Sequence, residues 1–195
     1  MTESKDLTFS EITNAIDSLE VACRFMEDVG KNPRAWKWII IAIHGALYGF
    51  AISNLGHDNY DRVTFKNKNG TLKLIHFNQA IELCKQDKPP MIRYVNSKIL
   101  NLTVPQKNSL HRIHAEFRNN FEHYIPGLWY IEVYGMPQIV LDALEVIEFL
   151  ALKSGNLDGF FKQGDRAKVR KLVSQGKELL MKSQYYRETK AVPSK

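Results

Sequence analysis

The longest apolar run in the chain extends from Trp38 to Ile52, and it constrains the fold more than any other segment. Its fifteen residues include His44 and fall short of the ~20 residues needed to cross a bilayer. Apolar residues on every side are typical of a helix enclosed by other helices. We therefore expect no membrane segment, and we predict a buried helix that begins near Pro33 and ends at Gly56.

Helical periodicity covers most of the remaining chain. Apolar residues recur at helical spacing in four further long segments, approximately 8–28, 105–124, 136–153 and 166–184. Shorter helical segments are predicted at about 78–86 and 91–100, and the last ten residues are expected to fray. The sequence therefore predicts an all-α fold, an up-and-down bundle of about five or six helices.

One segment departs from the helical period. Apolar and polar residues alternate from Val63 to Lys66 and again from Leu72 to Leu74, on either side of Asn69-Gly70. Such alternation around an Asn-Gly pair predicts a β-hairpin. Because a lone hairpin is marginally stable, we interpret residues 61–77 as an insertion that leans on the helices.

Positive charge is concentrated at the C-terminus. Residues 162–195 contain ten Lys or Arg and three Asp or Glu, whereas the whole chain carries a net charge of +6. We assign residues 1–160 to one helical domain and residues 161–195 to a basic helix and tail, packed on that domain or extending from it. The basic residues form a solvated face, or they contact RNA phosphates in a salt-sensitive manner through Lys168, Arg170 and Lys171.

The remaining composition excludes several common sites. Cys23 and Cys84 lie far apart and form no metal-binding pair, as expected of buried thiols in a reduced, cytoplasmic protein. The polar stretch from Met1 to Asp6 is unlike a signal peptide. No glycine-rich phosphate loop, GxSxG, HExxH or zinc-ligand spacing occurs, so we expect neither a metal nor another cofactor.

The most specific chemical pattern is the hexad Arg118-Asn119-Asn120-Phe121-Glu122-His123, at the end of the predicted 105–124 helix. It offers a fixed cation, an orienting amide and a side chain that titrates near neutrality, which phosphodiester cleavage could use together. Arg118 and His123 lie about 140° apart on an ideal helix, so one copy does not present them on one face. Two copies related by a twofold axis could line one cleft, and we therefore predict a homodimer.

Structural interpretations of the same residues stay open. Arg118 and Glu122 have the spacing of a solvated ion pair, and His123 suits a helix C-terminus as a cation. His111 and His114 either extend a phosphate-contacting surface from the hexad, are solvated, or lie in an interface. Two histidines without further ligands are weak evidence for a metal site. His44 is interpreted as a core histidine with a satisfied hydrogen bond, or as a border of the dimer cleft.

The R-N-x-x-x-H hexad on the last turn of a core helix resembles the signature of the HEPN family of all-α domains. The aromatic and apolar helix with Trp36-Lys37-Trp38 and Gly45-Ala46-Leu47-Tyr48-Gly49 is also similar to helices of bacterial members. The motif covers six residues, and the helical layout agrees over about residues 8–152. The resemblance implies a helical bundle that dimerises with the motif at the interface.

The resemblance also implies metal-independent cleavage of RNA, in which the ribose 2′-hydroxyl attacks the neighbouring phosphate. His123 would then act as general acid or base, Arg118 would stabilise the phosphate charge, and Asn119 would orient either side chain or the substrate. It further implies a toxin-like or phage-defence role, with an antitoxin or regulatory protein as a partner. Some members bind nucleotides, nucleic acid or proteins without cleavage, which is the alternative function.

Overall fold

The computed structural model describes residues 6–123 and 126–191, which are mostly helical with one small antiparallel sheet. The predicted all-α character is therefore confirmed. The helices are α1 (Glu11–Asp28), α2 (Ala35–Gly56), α3 (Phe77–Cys84), α4 (Val104–His111), α5 (Asn119–Glu122), α6 (Met136–Glu148), α7 (Asp165–Lys182) and α8 (Gln184–Ala191). Two π-helical segments interrupt them: Arg112–Arg118 joins α4 to α5, and Phe149–Lys153 follows α6.

The first two helices form an antiparallel pair. A reciprocal capping box begins α1, in which the Ser10 hydroxyl accepts from the Thr13 N–H at 3.2 Å and the Thr13 hydroxyl accepts from the Ser10 N–H at 2.8 Å. The start of α1 meets the end of α2, where His57 pairs with Glu11. Gly49 of α2 permits this approach, since a Cβ at Gly49 would lie 2.7 Å from the Ala15 Cβ.

Helix α2 lies at the centre of the fold, as its apolar sequence predicts. It packs against α1, α3, α6 and the π-helical segment Arg112–Arg118. Among the described residues, α2 is long and apolar enough to cross a membrane by length and composition alone. However, 78% of its most apolar 18-residue stretch is buried inside the fold. One of its contacts with distant residues is polar: the Asn54 amide donates to the Leu150 carbonyl at 2.7 Å.

The predicted hairpin is present and short. Strands β1 (Thr64–Lys66) and β2 (Leu72–Leu74) pair antiparallel, with Thr64 opposite Leu74. The connecting loop contains Gly70 at φ 76°, a conformation that glycine adopts readily. Val63 and Ile75 flank the strands and are buried against the helices, which anchors the hairpin.

The predicted helical segment at 91–100 is not a helix. Its backbone groups bond to distant elements instead: the Leu100 N–H donates to the Cys84 carbonyl at 2.8 Å, and the Lys98 N–H donates to the Ser154 carbonyl at 2.8 Å. The Met91 carbonyl accepts from the buried Asn156 amide at 2.8 Å. These tertiary bonds replace the local ones that a helix requires.

The C-terminal region packs on the bundle. Helix α7 contacts α1 and α6, and the buried Cys23 thiol donates to the Leu172 carbonyl at 3.3 Å. The last ten residues were expected to fray, but Gln184–Ala191 form α8, and residues 192–195 lie outside the described residues. Tyr185 packs against Trp36 with ring centroids 6.0 Å apart, which supplies the tertiary contact that the local sequence does not reveal.

Candidate functional site

The hexad lies where a long helix leaves regular α-geometry. Thr103 and Gln106 form a capping box at the N-terminus of α4, with Pro105 in the first turn. The π-helical segment Arg112–Arg118 follows and ends at the first residue of the hexad. Such segments shift the phase of the side chains that follow them, and they occur frequently at functional sites. Tyr124, the predicted last residue of this helix, lies outside the described residues.

Arg118 is held by its hexad neighbours. Its Nη2 lies 2.5 Å from the Glu122 Oε2, and its Nη1 donates to the Asn119 Oδ1 at 3.2 Å. The predicted Arg118–Glu122 ion pair is therefore confirmed. The Nε–H of Arg118 is buried and has no hydrogen-bond partner within residues 6–123 and 126–191. A buried donor without a partner is uncommon, but a ligand does not reach it, so any phosphate at Arg118 would contact the Nη atoms.

His123 lies directly after the helix end and is exposed. Its backbone leaves helical geometry at φ −117° and ψ 59°, although its N–H still donates to the Asn119 carbonyl at 2.8 Å. Arg118 borders a cavity to which His123 does not contribute in the described part of the molecule. The structure thus joins Arg118 to Asn119 but does not bring His123 to the same surface of one chain.

The cavity beside Arg118 has a volume of about 530 Å³. It is bordered by α1, α2, the start of α3 and the helix that carries the hexad. This volume lies within the range of small-ligand sites, roughly 300–1,000 Å³. Its walls combine aromatic rings with a few polar groups, including Asp17, Trp38, His44, Tyr48, Phe77 and His114. The Tyr48 hydroxyl is already engaged, since it donates to the Ile75 carbonyl.

Two histidines from distant parts of the chain meet in this cavity. The His44 Nε2 lies 3.0 Å from the His114 Nδ1, and the ring planes differ by 11°. Burial, with further contributions from His114 and Arg118, lowers the pKa of His44 to about 3. Burial also lowers the pKa of His114, as does the Arg118 charge. Both rings are therefore neutral at pH 7, and one hydrogen bond joins them.

The other predicted contact residues lie elsewhere. His111 is exposed and does not line the cavity within the described residues. On α7, Lys168 pairs with Glu20 at 2.7 Å, Arg170 borders a separate cavity of about 190 Å³, and Lys171 is exposed. None of these four side chains shares the cavity of Arg118 in the described structure. No group of three or more His, Cys, Asp or Glu side chains suited to a metal occurs in the described residues.

Several cavity residues were not predicted as site residues. His44 carried the strongest signal, because it is a polar residue within the long apolar run. Phe77 gave no local signal, since only the tertiary fold brings it to the helix of Arg118. Comparison of the chain with protein-family models, curated proteins and solved structures gave no match.

Proposed function

We propose that this chain is a metal-independent endoribonuclease of the HEPN type that acts as a homodimer. The observation that carries the proposal is the environment of Arg118. Its guanidinium is oriented by Asn119 and Glu122 and borders a cavity. This group can hold a phosphate and stabilise the charge that develops on it in the transition state.

The proposed reaction begins at the ribose 2′-hydroxyl. A histidine accepts its proton while the oxygen attacks the adjacent phosphorus, and the 5′-oxygen of the next nucleotide leaves and takes up a proton. The products are a 2′,3′-cyclic phosphate and a 5′-hydroxyl, so atoms and charge balance without a cofactor. His123 supplies the proton transfer, and its exposed ring after the helix end is accessible to RNA.

The separation of the two side chains supports the proposed dimer. Arg118 borders the cavity, whereas His123 follows the helix end and does not line that cavity in the described structure. In the proposed homodimer, Arg118 of one subunit and His123 of the other approach the same phosphate. We place this enzyme in the cytoplasm, with a toxin-like or phage-defence role and an antitoxin or regulatory protein as partner, in line with the family that the hexad resembles.

The alternative is a HEPN-fold module that binds nucleotide, nucleic acid or a partner protein without cleaving RNA. The Arg118–Glu122 ion pair favours it, because a carboxylate already occupies the Nη2 of the guanidinium. Binding a phosphate through this nitrogen then requires Glu122 to be displaced. The two functions differ in whether bound RNA is recovered intact.

Cleavage of single-stranded RNA tests the proposal. We expect Arg118→Ala and His123→Ala each to reduce cleavage by about 100-fold or more without a change in helicity. The wild type should cleave RNA at the same rate in the presence of a metal chelator. Arg112→Ala is the matched control, because Arg112 pairs with Glu116 at 3.1 Å with the same spacing on the same helix. Equal cleavage by wild type and His123→Ala would assign the activity to a contaminant. Salt-sensitive binding of uncut RNA would favour the alternative.

A further inference from the structure

His114 lies beside Arg118 on the same helix. The two residues are four apart, so they are neighbours on one side of the helix, and both line the cavity of about 530 Å³. His123, in contrast, does not line this cavity in the described structure. A single chain therefore presents a guanidinium and an imidazole together, although this imidazole does not belong to the hexad.

The His114 ring is fixed in position while one of its nitrogens stays accessible. Its Nδ1 lies 3.0 Å from the His44 Nε2, and Phe77 stacks on its face with ring centroids 4.7 Å apart. Its Nε2 bonds to no group within residues 6–123 and 126–191, and it is not fully buried. The contacts with His44 and Phe77 thus orient the ring, and the Nε2 edge remains open to a ligand.

The bond to His44 determines the role of this open nitrogen. In a neutral imidazole one nitrogen donates and the other accepts, so the partner of Nδ1 sets the state of Nε2. With the proton on the His114 Nδ1 and the lone pair on the His44 Nε2, the His114 Nε2 accepts a proton. The opposite tautomer leaves a donor there, and the two assignments predict different effects of a substitution at His114.

The surroundings of His114 keep its ring neutral. Burial lowers the pKa of His114, and the Arg118 charge and the neighbouring His111 and His76 lower it further. One of the two carboxylates at the cavity, that of Glu122, is paired with Arg118. The ionisable residues that line the cavity together with His114 are Asp17, His44, His76, Arg118 and Glu122. A neutral imidazole is the form that accepts a proton from a hydroxyl group.

The proposed reaction requires two proton transfers on opposite sides of the phosphorus. The 2′-hydroxyl loses a proton as its oxygen attacks, and the 5′-oxygen gains one as it leaves, with the two oxygens roughly in line through the phosphorus. One imidazole, that of His123, cannot face both oxygens at once. A second group that accepts a proton, on the same side as Arg118, completes the reaction.

We propose that His114 is the general base of this reaction and that His44 positions it. The His114 Nε2 takes the proton of the 2′-hydroxyl while the 2′-oxygen bonds to the phosphorus of the phosphate held at Arg118. The bond from phosphorus to the 5′-oxygen breaks, and the protonated His123 of the other subunit gives that oxygen its proton. His114 is left protonated and His123 neutral, and exchange with water restores both. This assignment deepens the proposed function and rests on it.

An RNA in which sulfur replaces the leaving 5′-oxygen separates the base from the acid. A thiolate leaves without a proton, so this substrate needs a general base but no general acid. We expect His123→Ala to lose about 100-fold or more on ordinary RNA and to come within about tenfold of the wild type on the sulfur substrate. His114→Ala should lose about 100-fold on both. Lys107→Ala, at an exposed residue on the same helix, is the control and should match the wild type on both.

Further variants separate the chemistry from the packing of the two rings. His114→Gln keeps a polar side chain of similar length that is not basic, so it should lose as much activity as His114→Ala, with unchanged helicity. His44→Leu removes the acceptor for the His114 Nδ1 and should slow cleavage of both substrates about tenfold. In His44→Gln the amide oxygen accepts the same bond, which should restore the rate to within about threefold of the wild type.

The same rates distinguish failure of this assignment from failure of the ribonuclease. If His114→Ala and His114→Gln cleave ordinary RNA within about threefold of the wild type, His114 is not the base and the ribonuclease stands. If sulfur rescues His114→Ala, the ring acts as a donor, which overturns the assignment of the base. Equal losses in His44→Leu and His44→Gln would overturn the positioning role of His44. A wild type that cleaves neither substrate would overturn the ribonuclease and this assignment together.

Discussion

For His44, a single polar residue in an apolar run, the sequence predicts the burial of the side chain but not its partner. The sequence predicted a buried histidine with a satisfied hydrogen bond, and the structure confirms both features. The partner, His114, lies seventy residues away in the chain and could not be identified, because only tertiary packing brings α2 to the hexad helix. The Arg118–Glu122 pair was predictable for the opposite reason, since it depends on local helical spacing alone.

The buried His44 ring should make the stability of the protein depend on pH. Its folded pKa is about 3 and its ordinary value is 6.5, so below pH 6.5 the unfolded chain binds a proton that the folded chain does not. The free energy of unfolding therefore falls as pH falls between these values, and His44 contributes a loss of about 2 kcal/mol between pH 7 and pH 5. Urea unfolding at the two pH values measures this loss.

The variant His44→Leu provides the comparison. It removes the titrating ring, so its unfolding free energy should change less between pH 7 and pH 5 than that of the wild type. His114, whose pKa is also lowered, contributes in the same direction in both proteins. An identical pH dependence in wild type and variant would contradict a neutral, buried His44.

At the scale of the elements, regular features were predicted well and irregular ones were not. The bounds of α2 and the position of the hairpin follow from apolar period and from turn residues, which are local signals. The π-helical segment Arg112–Arg118 has no such signal, and neither does α8, which depends on packing of Tyr185 against Trp36. The predicted helix at 91–100 was wrong because tertiary hydrogen bonds override local propensity there.

Because α1 and α2 approach closely, we expect one added methyl group at Gly49 to lower the stability of the protein. In Gly49→Ala the new Cβ would lie 2.7 Å from the Ala15 Cβ and 3.3 Å from the Ala15 Cα, so the helices must separate. We expect a loss of about 1–2 kcal/mol of stability, since the overpacking exceeds the gain in helix propensity. Gly30→Ala is the control, because a Cβ at Gly30 has no atom within 4 Å. Thermal unfolding should leave this control within about 0.5 kcal/mol of the wild type, and equal stability of both variants would contradict the close packing.

At the scale of the whole molecule, the C-terminal region carries less unpaired positive charge than its number of basic residues indicates. Within the described part of this region, residues 162–191, four basic side chains pair with acidic ones: Arg166 with Asp158, Lys168 with Glu20, Lys177 with Glu148, and Lys182 with Glu178. Three of these carboxylates, those of Asp158, Glu20 and Glu148, lie outside the C-terminal region and offset part of its positive charge. RNA affinity should consequently depend less on the C-terminal region than the residue counts indicate, and more on the surface around Arg118.

The proposed site contains residues of two subunits, so two inactive variants should complement each other in a mixed dimer. Arg118→Ala retains His123, and His123→Ala retains Arg118. If cleavage requires Arg118 of one subunit and His123 of the other, mixed dimers of the two inactive variants contain one complementary pair across the interface. We expect mixing under conditions that exchange subunits to restore part of the RNA cleavage, with dimers verified by sedimentation. A protein that stays monomeric while it cleaves RNA would contradict the composite site, as would an exchanged mixture as inactive as its components.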